Sequence, residues 1–124
     1  MRYLLLGLCS IAVLAFAAWS DGQAMGFNIT EPSERSDTVT TVLMRDGYAA
    51  PLIDYCNRKC GVVLGVGLGP LAGKVVRIAH MGHVNAPMVL GTLSVMEVGL
   101  SALRIPHGNG TQAAIEWLGE SVSA

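Results

Sequence analysis

Arg77 stands inside the apolar run Val75–Ala79, and His80, His83 and Asn85 follow within eight residues. Only 14% of the chain is charged, so a cation in that setting asks for an anion. A guanidinium presents a planar fork of donors that matches a carboxylate bidentately, and mounting it on a strand fixes its direction. Glycines at 65, 67, 69 and 73 come just before it. They let the backbone turn tightly and a ligand approach closely. The other reading of Arg77 is a sheet-edge residue directed to solvent, and spacing leaves both open.

Other constellations fail on residue type. Gly73 and Lys74 would end a phosphate loop, but Leu68 and Val75 occupy positions that need glycine and a hydroxyl residue. The run from Gly67 to Ala72 loosely fits a dinucleotide fingerprint but leads into a strand, whereas that fingerprint must open a helix. Cys56, Cys60, His80, His83 and His107 lack the spacing of a metal finger. There is no Gly-x-Ser-x-Gly elbow, and Glu97 and Asp46 have no obvious carboxylate partner. No catalytic residue and no metal ligand is therefore expected in this chain.

The elements that must position Arg77 follow from periodicity. TVTTVLM (38–44) and KVVRIAH (74–80) read as strands, MGFNIT (25–30) as a short one, and VVLGV (62–66) as strand-like. Alternation along 74–80 puts Val75, Arg77 and Ala79 on one face and Val76, Ile78 and His80 on the other. AAPLIDYCNRK (49–59) is an amphipathic helix ended by Gly61. Asn85 caps a helix that carries Pro87 in its first turn and runs to about Leu103. Its polar residues Ser94, Glu97 and Ser101 form one narrow stripe, which predicts burial on nearly every other side, with Gly91 and Gly99 allowing close approach. TQAAIEWL forms a last short helix capped by Thr111. The order predicts an α+β domain, with helices covering a small three- or four-stranded antiparallel or mixed sheet and the helix of 86–103 lying across it.

With 124 residues there is room for one domain, and a net charge of −1 with scattered basic residues excludes a nucleic-acid partner. Three cysteines make no disulfide framework; Cys56 and Cys60, four apart on one helix face, read as reduced packing residues. Residues 1–19 stand apart from 20–124. Arg2 followed by an apolar run to Trp19 has the composition of a signal or anchor segment, although residues 22–24 make a poor cleavage site.

One stretch carries a resemblance: GVVLGVGLGPLAGKVVRIAHMGHVNAPMVLGTLSVMEVGLSALRIPHG, residues 61–108. Its glycine loop, then Leu71 to Lys74, then Arg77, Ile78, His80, Met81 and Gly82, then Asn85, Pro87 and Met88, come in the order found in a known family. It resembles the C-terminal domain of the alanine–glyoxylate and serine–pyruvate aminotransferases, class V pyridoxal-phosphate enzymes, over about residues 17–120. The resemblance implies that Arg77 grips the substrate α-carboxylate. His80, Gly82, His83 and Asn85 then shape the turn and helix start behind it. It further implies amino acid and 2-oxo acid substrates, pyridoxal 5′-phosphate as cofactor, and a homodimer. It makes residues 1–19 a domain helix rather than a signal or anchor, and favours a cytoplasmic or organellar protein over an exported one.

The family's larger, earlier domain supplies the Schiff-base lysine and most cofactor contacts, and nothing here resembles it; Lys59 and Lys74 match no such motif. The expectation is thus a substrate-binding part of a transaminase that is inactive alone. The alternative is a non-enzymatic interaction or small-carboxylate-binding module, exported or membrane-anchored.

Overall fold

The computed structural model describes residues 2–36, 38–80 and 84–123. Helix α1 spans Arg2–Trp19, β1 Met25–Phe27, β2 Val39–Met44, α2 Ala49–Cys60, β3 Gly65–Val66, β4 Val75–Ala79, α3 Ala86–Ala102 and α4 Gly110–Ser123. The four strands form one antiparallel sheet in the order β1-β2-β4-β3. The result is the expected small α+β domain with helices on its sheet.

β2 and β4 pair over five residues, from Val39 opposite Ala79 to Leu43 opposite Val75. Their β-branched side chains suit a pleated, half-buried surface. The predicted alternation holds on the core side, where Val76, Ile78 and His80 are buried. There the Thr40 hydroxyl and His80 Nε2 lie 2.9 Å apart, joining the two central strands inside the core. The opposite face is largely open: Ala79 and Leu43 are exposed, and Val39, Thr41 and Arg77 are partly so. Val75 alone is buried on that face of β4, because the glycine loop folds over it. A Cβ on Gly67 would meet the Val75 side chain at 2.8 Å and the Leu71 carbonyl closer still.

β3 is shorter than the strand-like run 62–66, and the end of α2 explains why. Gly61 takes φ 70°, with its N–H on the Asn57 carbonyl, while the Val62 N–H binds the Cys56 carbonyl at 3.0 Å. The first part of the run is thus committed to closing α2. β1 likewise stops at Phe27, short of Thr30.

From Ile11 to Trp19, α1 is part of the core: Ile11, Ala12, Ala15, Phe16 and Trp19 are all buried. It packs on β1 and β2, on α3 and, most extensively, on α4. Among the described residues, no helix is long and apolar enough to cross a membrane. α3, expected across the sheet, makes its main contacts with α1, α2 and α4. Nor is it buried on nearly every side. Met88 and Val98 are each 52% exposed, and nothing lies within 4 Å of a Cβ at Gly91. Gly99 does serve close approach, since a Cβ there would stand 2.8 Å from Leu52 on α2. Thr111 is not the cap of α4. The helix starts one residue earlier, and the Asn109 carbonyl accepts the first intrahelical bond, from Ala113 at 3.1 Å. The start is set by packing against α1. A Cβ on Gly110 would lie 2.4 Å from both the Ala15 carbonyl and the Trp19 indole nitrogen.

Candidate functional site

Arg77 sits at the middle of β4, with Thr41 of β2 on one side and Gly65 of β3 on the other. β4 is an interior strand, so the sheet-edge premise for a solvent-directed arginine does not hold. The side chain stands on the open face and donates its Nε–H to the Val66 carbonyl at 2.7 Å. That bond leaves the terminal amino groups of the guanidinium for other partners. Among the described residues no carboxylate lies within ion-pair distance of it; the ion pair seen there is the exposed Arg58–Asp54 contact at 3.5 Å on α2.

Arg77 lines a cleft of about 370 Å³ walled mainly by aliphatic and backbone surface from Val39, Val62–Leu64, Gly65, Ile78 and Ala79, with Thr92 of α3 at its margin. Among the described residues, one cation lines this mixed aliphatic and backbone surface, an arrangement that can orient a small carboxylate by a charge-assisted, two-pronged hydrogen bond. A second, smaller cleft of about 180 Å³ lies beside Phe27, Glu34 and Arg35. Arg35 is already committed. Its Nε–H goes to the Ile29 carbonyl at 2.8 Å, a terminal nitrogen reaches the Thr30 carbonyl at 3.2 Å, and the guanidinium lies 4.1 Å above the Phe27 ring. A nearby Glu34 further disfavours an anion there.

Among the described residues, the others singled out from sequence do not converge on Arg77. His80, just past the end of β4, is buried on the core face. Asn85 caps α3, its Oδ1 accepting the Met88 N–H at 2.9 Å. Gly82 and His83 lie outside the described residues. His107 is held between the Ile105 carbonyl, 2.7 Å from Nδ1, and Ser101, 3.4 Å from Nε2. Cys56 and Cys60 are both free; Cys56 is buried, but Cys60 is exposed and does not pack as expected. Burial, and secondarily the neighbouring Cys60, push the Cys56 thiol up to about 11, so it stays neutral at ordinary pH. Among the described residues, no three His, Cys, Asp or Glu side chains gather where they could hold a metal ion.

Glu97 has a role that sequence spacing did not reveal. Its Oε1 accepts the indole N–H of Trp19 at 2.8 Å and the backbone N–H of Thr111 at 3.4 Å, tying α1, α3 and α4 together.

Pyridoxal phosphate, the group the resemblance implies, would need an inward-facing lysine and a set of phosphate donors. Lys59 and Lys74 are both exposed, and neither lines the Arg77 cleft. Among the described residues, Arg77 is the one cationic side chain lining it. The described residues do not by themselves form a seat for that cofactor.

The fold is that of the small C-terminal domain of class V aminotransferases. Over 93 residues the chain is 37% identical to serine–glyoxylate aminotransferase of Methylorubrum extorquens strain AM1, a match covering 73% of this chain and 23% of the relative. It is 36% identical over 97 residues to the Arabidopsis thaliana enzyme of the same name, covering 73% and 24%. Among solved structures, ureidoglycine–glyoxylate aminotransferase from Bacillus subtilis superimposes with a TM-score of 0.80 at 23% identity, covering 92% of this chain and 29% of that one. Pyridoxamine–pyruvate aminotransferase from Mesorhizobium loti gives 0.75 at 24% identity, covering 92% and 30%. No protein-family model matches the sequence. The chain belongs to the class V pyridoxal-phosphate-dependent aminotransferase family, of the alanine/serine–glyoxylate type, as a partial domain. It spans about a quarter of the length of the curated relatives it matches.

Proposed function

We propose that this domain provides the substrate-carboxylate grip of a pyridoxal-phosphate-dependent transaminase that moves an amino group from alanine or serine to glyoxylate or another 2-oxo acid. A larger, cofactor-bearing domain completes the enzyme, and the assembly is a homodimer. Arg77 binds and orients the α-carboxylate common to both substrates; proton transfer and cofactor binding belong to groups outside this chain. One observation carries the reading. The Arg77 guanidinium is anchored through Nε on an interior strand, Arg77 borders a cleft of aliphatic and backbone surface, and among the described residues no carboxylate pairs with it. The identity to serine–glyoxylate aminotransferases supports the reaction class.

The test is a chimera in which residues 20–124 replace the matching part of the Methylorubrum extorquens enzyme. In it, Arg77→Ala is expected to raise the KM for serine by about tenfold or more, the scale of one lost charge-assisted hydrogen bond. An unchanged KM in an active chimera would overturn the role of Arg77. A chimera that binds serine without turnover would favour the carboxylate-binding module instead.

A further inference from the structure

We infer that Gly65, together with the carbonyl of Val66, is the device that positions Arg77. This inference rests on the proposed function for its purpose, but its geometry is independent of it. β3 contributes only two residues to the sheet, and they are the cross-strand partners of Arg77 and Val76. Gly65 lies directly opposite Arg77, so the two share the open face of the sheet. A Cβ at position 65 would stand 3.0 Å from the Arg77 Cβ and 3.1 Å from its carbonyl oxygen. Neither atom is the tip of a flexible side chain; both are tied to the backbone of β4, so the strands would have to separate by a few tenths of an ångström.

φ does not demand glycine at 65, because the backbone there is not left-handed. Space does. The missing side chain leaves the slot beside Arg77 open, and the next carbonyl along β3 receives its Nε–H at 2.7 Å. A guanidinium held at Nε loses rotamer freedom before any ligand arrives, and its two terminal amino groups remain for a carboxylate. β3 thus works as a bracket for the arginine. Gly67 keeps that bracket in place: a Cβ there would collide with Leu71 and Val75, so the loop after β3 closes down on β4.

The experiment is nuclear magnetic resonance on the full 124-residue chain, ¹⁵N-labelled, with sodium pyruvate as the probe. Wild-type Arg77 Nε–H should exchange with solvent about tenfold more slowly than that of exposed Arg58, and its resonance should move saturably with pyruvate. In Gly65→Ala the protection should vanish and pyruvate should bind about tenfold more weakly. The Trp19 indole N–H, bonded to Glu97, should stay in place and report an intact core. Arg77→Lys, which keeps the charge but lacks an Nε–H, should weaken binding to the same degree. A Gly65→Ala protein with unchanged protection and affinity overturns the inference. If that variant loses its Trp19 signal, the wild type decides alone: an unprotected Arg77 Nε–H overturns the bracket, and a protected one supports it. Protection without any pyruvate response leaves the bracket standing and sinks the carboxylate role.

Discussion

Two cysteines one helical turn apart face different environments, and their chemistry should separate accordingly. Cys56 is fully buried against α3 and its thiol is pushed up to about 11; Cys60 is exposed. Iodoacetamide should label Cys60 in the native chain and reach Cys56 only on unfolding, since the thiolate is the reactive form. Mass spectrometry of the native and denatured protein checks this; rapid native labelling of Cys56 contradicts it. The same burial makes stability depend on alkali. Folding favours the neutral thiol, so its contribution is complete below the unfolded value of 9.0 and is lost as pH rises to about 11. Wild type should therefore lose more stability across that window than Cys56→Ala, read as the shift in urea midpoint.

Among the elements, the junction of α1, α3 and α4 depends on Glu97. Its carboxylate satisfies the indole N–H of a fully buried Trp19, so Glu97→Ala strands a donor in the core. Glu97→Ala should cost about 1–3 kcal/mol in urea unfolding, and Glu97→Gln, which keeps an acceptor, clearly less. Equal losses for the two variants would refute this account. Glu97 also shows where sequence stops informing. A lone glutamate on a polar stripe looks like a solvent-facing residue, because the indole it serves lies far away along the chain. β2 and β4 were legible because β-branched alternation and strand geometry point the same way, and Gly61 announced the end of α2. The near-uniform apolarity of α3 hid the exposure of Met88 and Val98, since a helix apolar all round does not say which side its neighbours cover. The start of α4 differs from the capping signal at Thr111 because packing of Gly110 on α1, not cap chemistry, sets it. Arg77 itself was conspicuous by type and setting. Its anchor on Val66 was not, because that bond exists only once β3 and β4 adopt their register.

At the scale of the whole molecule, an aminotransferase fold is present without a cofactor seat among its described residues. Both lysines are exposed and outside the cleft, so the isolated chain should be silent. Mixed with pyridoxal phosphate, it should leave the visible spectrum of the free cofactor unchanged and transaminate alanine with glyoxylate no faster than the cofactor alone. A new lysine-dependent absorption band accompanied by turnover would refute this. Exposed Val63, Val66 and Leu68, 78%, 51% and 67% accessible, leave apolar surface along the β3 edge next to Arg77, more than an ordinary scatter of single residues.

The pairing of α1 with α4 has a consequence for biosynthesis. α1, which carries the buried Ile11, Phe16 and Trp19, packs more extensively on α4 than on any other element, and α4 begins only at Gly110. At ordinary rates of translation the interval between the two is on the order of ten seconds. Throughout it, the nascent chain carries an apolar helix without its most extensive packing partner, the kind of surface that recruits holding chaperones. A product lacking α4 would keep that face of α1 open, so the cell's quality control would see the absence of α4 before any loss of chemistry.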